Sequence, residues 1–254
     1  MSHYDAPDLI ARVTALLPDG RLSARDLAPL DQFHVGGLKA TEHLAALAGI
    51  EPGMRVLDVG CGVGGPSRFL AAQGCVVTGL DLSADYVVLS RLLAERAGLN
   101  VDYVCADALD MPFEDASFDL IWTQHATMNI ADKPRLYGEM ARLLKPGGRL
   151  AFHDVCAGDG ELLLPVPWAR RREHSVLMSP EALRSLLEDL GFKVESWRDA
   201  SAEAVAFLER APAVPPPLSL ALLLGDELPA MLSAYLANLR QNRAKVVDSI
   251  SQRH

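Results

Sequence analysis

The chain has 254 residues, half of them apolar and few aromatic, enough for one large α/β domain with an added helical cover. Its formal net charge of -9 repels phosphate backbones and anionic lipid, which excludes nucleic acid and a charged membrane surface as expected partners. No run of about 20 apolar residues is present to span a membrane.

In chain order, residues 8–17 carry apolar side chains at helical spacing and stop at Pro18-Asp19-Gly20, a turn signal. A polar loop is expected next, then a second helix over 37–49 closed by Gly49. An apolar strand, Val56-Leu57-Asp58-Val59, runs into Gly60-Cys61-Gly62-Val63-Gly64-Gly65, a turn that opens the following helix. Glycine tolerates positive φ and has no Cβ to keep a ligand away, while the helix start aims free N–H groups at the same spot. This is a nucleotide-cofactor pattern. Gly60, Gly62 and Gly65 satisfy G-x-G-x-x-G, and Asp58 through Gly64 reads D-x-G-x-G-x-G.

A second strand over 75–80 ends at Asp81, about 20 residues after Gly60, where an acid takes the ribose hydroxyls of an adenosine. A third strand over 101–105 ends at Ala106-Asp107-Ala108, and Asp107 can accept from an adenine amine if this strand lies beside the second. The fourth strand, 117–123, leads into Gln124-His125-Ala126-Thr127-Met128-Asn129, and the fifth ends at His153-Asp154. Helical connections at about 64–73, 84–97 and 133–144 alternate with these strands, which argues for a parallel sheet covered on both faces. Strands one and four should flank the switch point, where ligands bind. Residues 157–178 read as an irregular insertion, followed by a helix from Ser179-Pro180 to Leu190, a sixth strand over 192–197 and a helix over 200–210. A proline run then breaks the chain before a leucine-rich segment, 218–224, and a helix over 228–240. The leucine-rich segment is expected to be a cover helix packed over the substrate cavity or the sheet, with a dimer contact as the alternative. Residues 245–250 fit a strand or a helix about equally.

Cys61, Cys75, Cys105 and Cys156 show no C-x-x-C pair and no metal-ligand rhythm, and read as reduced thiols. With no basic-then-apolar leader at residues 1–7, the expected location is cytoplasmic.

The ordered set VLDVGCGVGG, VTGLDLS, CADALDMPF with FDLIWTQ, and LLKPGGRL resembles the class I S-adenosylmethionine-dependent methyltransferases over residues 31–198. The resemblance implies a doubly wound, mostly parallel seven-stranded sheet of the Rossmann-like kind with a helical lid, residues 245–250 being candidates for the antiparallel seventh strand. One domain is expected over 1–254: a helical cover (1–50), a cofactor-binding core (51–200), then C-terminal helices and a last strand (201–254). The implied cofactor is S-adenosylmethionine. Asp58 and the carbonyls of the Gly60–Gly62 loop suit its ammonium, and the loop and helix N–H groups suit its carboxylate. Asp81 with Leu82 and Asp107 with Ala108 would hold the adenosine, and Gln124 would touch the cofactor. An NAD-dependent oxidoreductase is the weaker alternative, since no hydride-transfer histidine arrangement follows.

The segment Asp31-Gln32-Phe33-His34-Val35-Gly36-Gly37 resembles a His-x-Gly segment of small-molecule members, above all sarcosine/dimethylglycine N-methyltransferases and natural-product relatives. By that resemblance His34 and Gly36 cover the methionine end of the cofactor, joined by Tyr4. Methyl transfer from a sulfonium is an in-line displacement, and a general base is needed for a hydroxyl or acidic carbon but hardly for an amine. Candidate catalytic residues are His125 and His153, with Asn129 facing the acceptor and His174 a further candidate. A metal held by Asp154, Asp159 and Asn129 is not demanded by the spacing, and none is expected. Trp122, Trp168 and Phe33 are available to meet a cationic acceptor. The expected activity is methylation of a small molecule on N, O or C. A non-catalytic S-adenosylmethionine-binding protein is the alternative, and a homodimer is left open.

Overall fold

The computed structural model describes residues 8–212 and 214–254; Tyr4 lies outside them. The strands are β1 (Arg55–Val59), β2 (Val76–Asp81), β3 (Asp102–Cys105), β4 (Phe118–Gln124), β5 (Leu144–Ala157), β6 (Phe192–Asp199) and β7 (Ala244–Arg253). They form one seven-stranded sheet in the order β3-β2-β1-β4-β5-β7-β6. The ladders from β3 across to β5 are parallel, and β7 runs antiparallel between β5 and β6. This is the doubly wound α/β arrangement expected from the sequence. In β1, residues 56–59 are all buried, as a parallel strand covered on both faces requires.

The helices are α1 (Leu9–Leu16), α2 (Ala24–Asp31), α3 (Gly37–Ala48), α4 (Gly65–Ala72), α5 (Ala84–Ala97), α6 (Lys133–Leu143), α7 (Pro180–Asp189), α8 (Ser201–Leu208), α9 (Ala221–Leu224) and α10 (Leu228–Arg240). The expected polar loop before residue 37 is corrected by α2. A capping box starts that helix: Ser23 Oγ accepts from the Asp26 N–H, and Asp26 Oδ2 accepts from the Ser23 N–H. Leu27 and Leu30 then bury completely against Leu9, Val13 and Leu22. The ambiguity at 245–250 resolves as strand, because β7 finds ladder partners on both edges, in β5 and β6. The leucine-rich segment supplies α9, whose Leu223 and Leu224 bury in the same cluster as α1 and α2. It therefore covers the N-terminal helices. Among the described residues no helix is long and apolar enough to cross a membrane.

Candidate active site

A cavity of about 500 Å³ opens at the carboxyl ends of β1, β2 and β4, where the strand order reverses. Its floor is the glycine turn after β1. The Gly60 and Cys61 N–H groups donate to the Leu80 carbonyl at 2.8 and 3.0 Å, pinning the turn to the end of β2. Gly60 takes φ 72° and Gly64 φ 80°. A Cβ at Gly60 would stand 2.3 Å from Ala126 Cβ, and one at Gly64 2.3 Å from the Tyr103 hydroxyl. Glycine is required there by packing as well as by conformation.

Asp58 and Gly62 line the same cavity. Asp58 is buried, and its Oδ2 accepts from Ser67 Oγ on α4 at 2.5 Å. Burial pushes its carboxyl up to about 7. Asp81 accepts the Gly62 and Ser83 N–H groups, both at 2.9 Å, and burial likewise raises it. Each of its oxygens keeps a second lone pair for a ligand hydroxyl. Leu82, Asp107 and Ala108 line the open end between β2 and β3. Asp107 is exposed and accepts from the Leu109 N–H at 2.9 Å.

Gln124 ends β4. Its Oε1 accepts from Trp122 Nε1 at 3.0 Å and stands 3.1 Å from the Thr41 hydroxyl, while its buried Nε2 has no partner. A buried amide without an acceptor is costly, so this atom marks a place for an acceptor group of a ligand. The segment between α2 and α3 forms a strap over the cavity, with Asp31, Phe33 and His34 on its inner side. Asp31 Oδ2 accepts from Arg68 Nη2 at 2.7 Å, and both side chains are buried. His34 Nε2 lies 3.1 Å from the Gly37 carbonyl and 3.0 Å from the Thr41 hydroxyl. Burial, then the neighbouring His153, lowers His34 to about 3. Gly36 turns the chain with φ 84° between His34, which lines the cavity, and the start of α3.

Beyond Gln124, His125 lines the cavity with φ 49° and a buried Nε2 that has no partner. Burial, then His153 and His34, holds it well below the usual histidine range, so the ring is neutral. His153 is not among the described lining residues. Its Nδ1 lies 2.5 Å from Asp248 Oδ1 and its Nε2 3.0 Å from the Val35 carbonyl. Both ring nitrogens are therefore engaged, and the expectation that His153 meets the acceptor as a base is corrected on geometry. His174 is exposed; its backbone N–H donates to the Arg171 carbonyl at 3.1 Å and its carbonyl accepts from Asn129 Nδ2 at 2.7 Å. Asn129 lines the cavity, but its amide N–H groups hold the Trp168 and His174 carbonyls. Lys133 Nζ donates to the Thr127, Ile130 and Val176 carbonyls, tying the turn after β4 to the insertion.

Asp154 is buried and accepts the Thr127 and Val155 N–H groups, while Asp159 accepts from Asn242 Nδ2. No group of three His, Cys, Asp or Glu side chains placed to hold a metal occurs among the described residues. Trp122 and Trp168 are buried outside the cavity; Phe33 lines it. The sequence patterns that include Asp31, Thr41 and Arg68 gave none of them a role of its own, and Asp248 lay outside those patterns. The one local signal was Asp31 at the head of the strap segment.

Residues 57–152 match the family described as Methyltransferase domain. Methyltransferase GfsG of Streptomyces halstedii is 38% identical over 133 residues, 51% of this chain and 48% of that protein. Phosphoethanolamine N-methyltransferase 3 of Arabidopsis thaliana is 31% identical over 182 residues, 69% of this chain and 36% of that protein. The chain thus spans half or less of the length of these relatives. Among solved structures, a candidate sarcosine dimethylglycine methyltransferase from Galdieria sulphuraria superposes with a TM-score of 0.72 at 25% identity, covering 85% of this chain and 84% of that one. Geranyl diphosphate C-methyltransferase from Streptomyces coelicolor A3(2), solved with Mg2+, geranyl diphosphate and S-adenosyl-L-homocysteine, gives 0.69 at 21% identity, covering 85% and 78%. With this strand order, this glycine turn and these likenesses, residues 57–152 carry a methyltransferase domain of the S-adenosylmethionine-dependent kind.

Proposed function

We propose that the chain binds S-adenosylmethionine in this cavity and transfers its methyl group to a small-molecule acceptor, leaving S-adenosylhomocysteine. One observation carries the reading: a single cavity gathers the glycine turn, Asp81 and Asp107, the unpartnered Gln124 amide, and a neutral His125 beside it. In this reading Asp81 with Leu82 holds the ribose, and Asp107 with Ala108 the adenine edge. Asp58, Gly60, Gly62 and Gln124 hold the amino-acid end, under His34. Asp58 suits the ammonium, and the Gln124 amide suits the carboxylate. The bound cofactor supplies an electrophilic methyl group. His125 is the candidate catalytic residue, because a neutral ring can take a proton from a hydroxyl or an acidic carbon as it attacks. In this reading the strap helps exclude water from that step, and alignment of the acceptor supplies much of the rate. The net negative charge and a cavity of about 500 Å³ favour a small molecule over a macromolecule.

Calorimetric titration with S-adenosylmethionine, S-adenosylhomocysteine and NAD tests this, alongside Asp81→Ala. Both adenosyl ligands should bind, and the variant should weaken them about tenfold or more, the loss of hydrogen bonds to a charged group. Binding of NAD alone would replace the reading with an oxidoreductase. Adenosyl binding without turnover on any amine, phenol or quinol would point to a non-catalytic binding protein.

A further inference from the structure

Behind the cavity wall stands a buried array that the proposed chemistry leaves without a task. His153 on β5 and Asp248 on β7 are register partners in the antiparallel ladder. Asp248 Oδ1 takes one edge of the His153 ring at 2.5 Å, and the Val35 carbonyl of the strap takes the other at 3.0 Å. Both partners only accept, so both ring nitrogens act as N–H donors and neither can receive a proton from an acceptor molecule. Asp248 is 2% exposed and is held from behind by Arg198 through Nε at 3.1 Å and through Nη2. Burial pushes Asp248 up, but the bonds from His153 and Arg198 outweigh it and hold the carboxyl below its ordinary range. His43 on α3 lies 3.9 Å from the same carboxylate.

The face of His153 lies flat on His125, with ring centroids 5.1 Å apart and planes 5° apart. His34 from the strap meets both rings edge-on, at 6.1 Å from His125 and 5.7 Å from His153. Tyr235 from α10 closes a further side of His125 at 6.3 Å. The groups facing His125 are thus His34, His153 and Tyr235. The anion Asp248 lies on the edge of His153, with Arg198 and His43 beyond it.

We propose, resting on the methyltransferase reading above, that His153 is a positioning residue: clamped by Asp248 and the Val35 carbonyl, it holds the His125 ring in one orientation toward the acceptor. The bond to Val35 makes the clamp depend on the strap. Cover at the cofactor end and ring orientation at the acceptor end are joined through one residue that touches neither ligand.

Histidine-ring NMR on the full chain tests this without an identified acceptor, the His125 signals being assigned by their loss in His125→Gln. In the wild type His125 should stay neutral, in one tautomer, between about pH 5 and pH 8, the window in which an ordinary histidine changes charge. In His153→Gln, and more mildly in Asp248→Asn, a second tautomer should appear. S-adenosylhomocysteine affinity, measured in parallel, should stay within about a factor of ten, one hydrogen bond's worth. Unchanged His125 signals in both variants overturn the proposal whatever the ligand does. If His153→Gln does not fold, Asp248→Asn decides alone. A wild type that fails to bind S-adenosylhomocysteine overturns the cofactor reading, while the NMR comparison still decides the role of His153.

Discussion

Asp58 is the residue whose titration speaks most directly about the ligand. Its folded value of about 7 lies above that of a free carboxyl because burial outweighs the Ser67 hydrogen bond. A raised folded value means that its contribution to stability is fully present below about pH 4 and is lost as pH rises through about 7. A cation brought against Asp58 favours the ionised form and reverses that preference. Binding of S-adenosylhomocysteine should therefore weaken as pH falls through about 7 and release a proton near pH 6. Calorimetry in two buffers of different ionisation heat reads that proton, and Asp58→Asn should abolish both effects. A flat affinity from about pH 5 to pH 8 would remove Asp58 from the partners of the ammonium. Asp58, the glycines and Asp81 were legible because their relation is local, one strand, one turn and the end of the next strand. Asp248 was not, because it reaches His153 only through a ladder between residues 95 apart in the chain. Nor can a strand-end histidine show from sequence that both its nitrogens are engaged.

At the scale of elements, the strap is held as much by α2 as by the cavity. The Asp31–Arg68 pair joins the end of α2 to α4 at 2.7 Å, and Arg68 Nη1 also donates to the Val63 carbonyl at 2.8 Å. Arg68→Ala leaves Asp31 buried without its cation, which should cost about 3–5 kcal/mol. Adding Asp31→Leu should recover part of that loss, since an apolar side chain carries no charge to desolvate. Urea unfolding of the single and double variants gives both values. A single-variant cost below about 1 kcal/mol would mean that the pair behaves as a solvated surface pair. The same helix shows where element reading fell short. Pro29 inside it argues for a break, and only Leu27 and Leu30, buried by α1 and the α9 segment, outweigh that local signal. The last strand was open between helix and strand for the same reason, since its ladder partners in β5 and β6 are distant in sequence. Strands β1 to β4 and the helices between them were legible because their apolar period and turn residues are local.

Across the whole molecule, the cavity is where three separately held parts meet: the strap, the glycine turn, and the turn after β4 that Lys133 and Asn129 bind to the insertion. The β5–β7 ladder runs behind them from Arg149 paired with Gln252 to Ala157 paired with Ala244, and contributes no described lining residue. Ligand binding raises the free energy of any opening that breaks the site by RT ln(1 + [L]/Kd), about 2.7 kcal/mol at 100 times Kd, which slows exchange through such openings about 100-fold. Hydrogen exchange with S-adenosylhomocysteine should therefore show new protection at residues 31–37, 60–65 and 125–130, elements of the cavity wall that open more readily than the sheet. Residues 149–157 and 244–253 exchange through openings that already involve the sheet and should change least. Protection confined to 60–65 and 81–83 would show that the ligand does not engage the strap, and would leave His34 a residue of the fold alone. Protection at 31–37 together with 125–130 is the pattern expected if the strap and the turn after β4 close on the same ligand, because a molecule lying between them would tie both segments to the glycine turn at once.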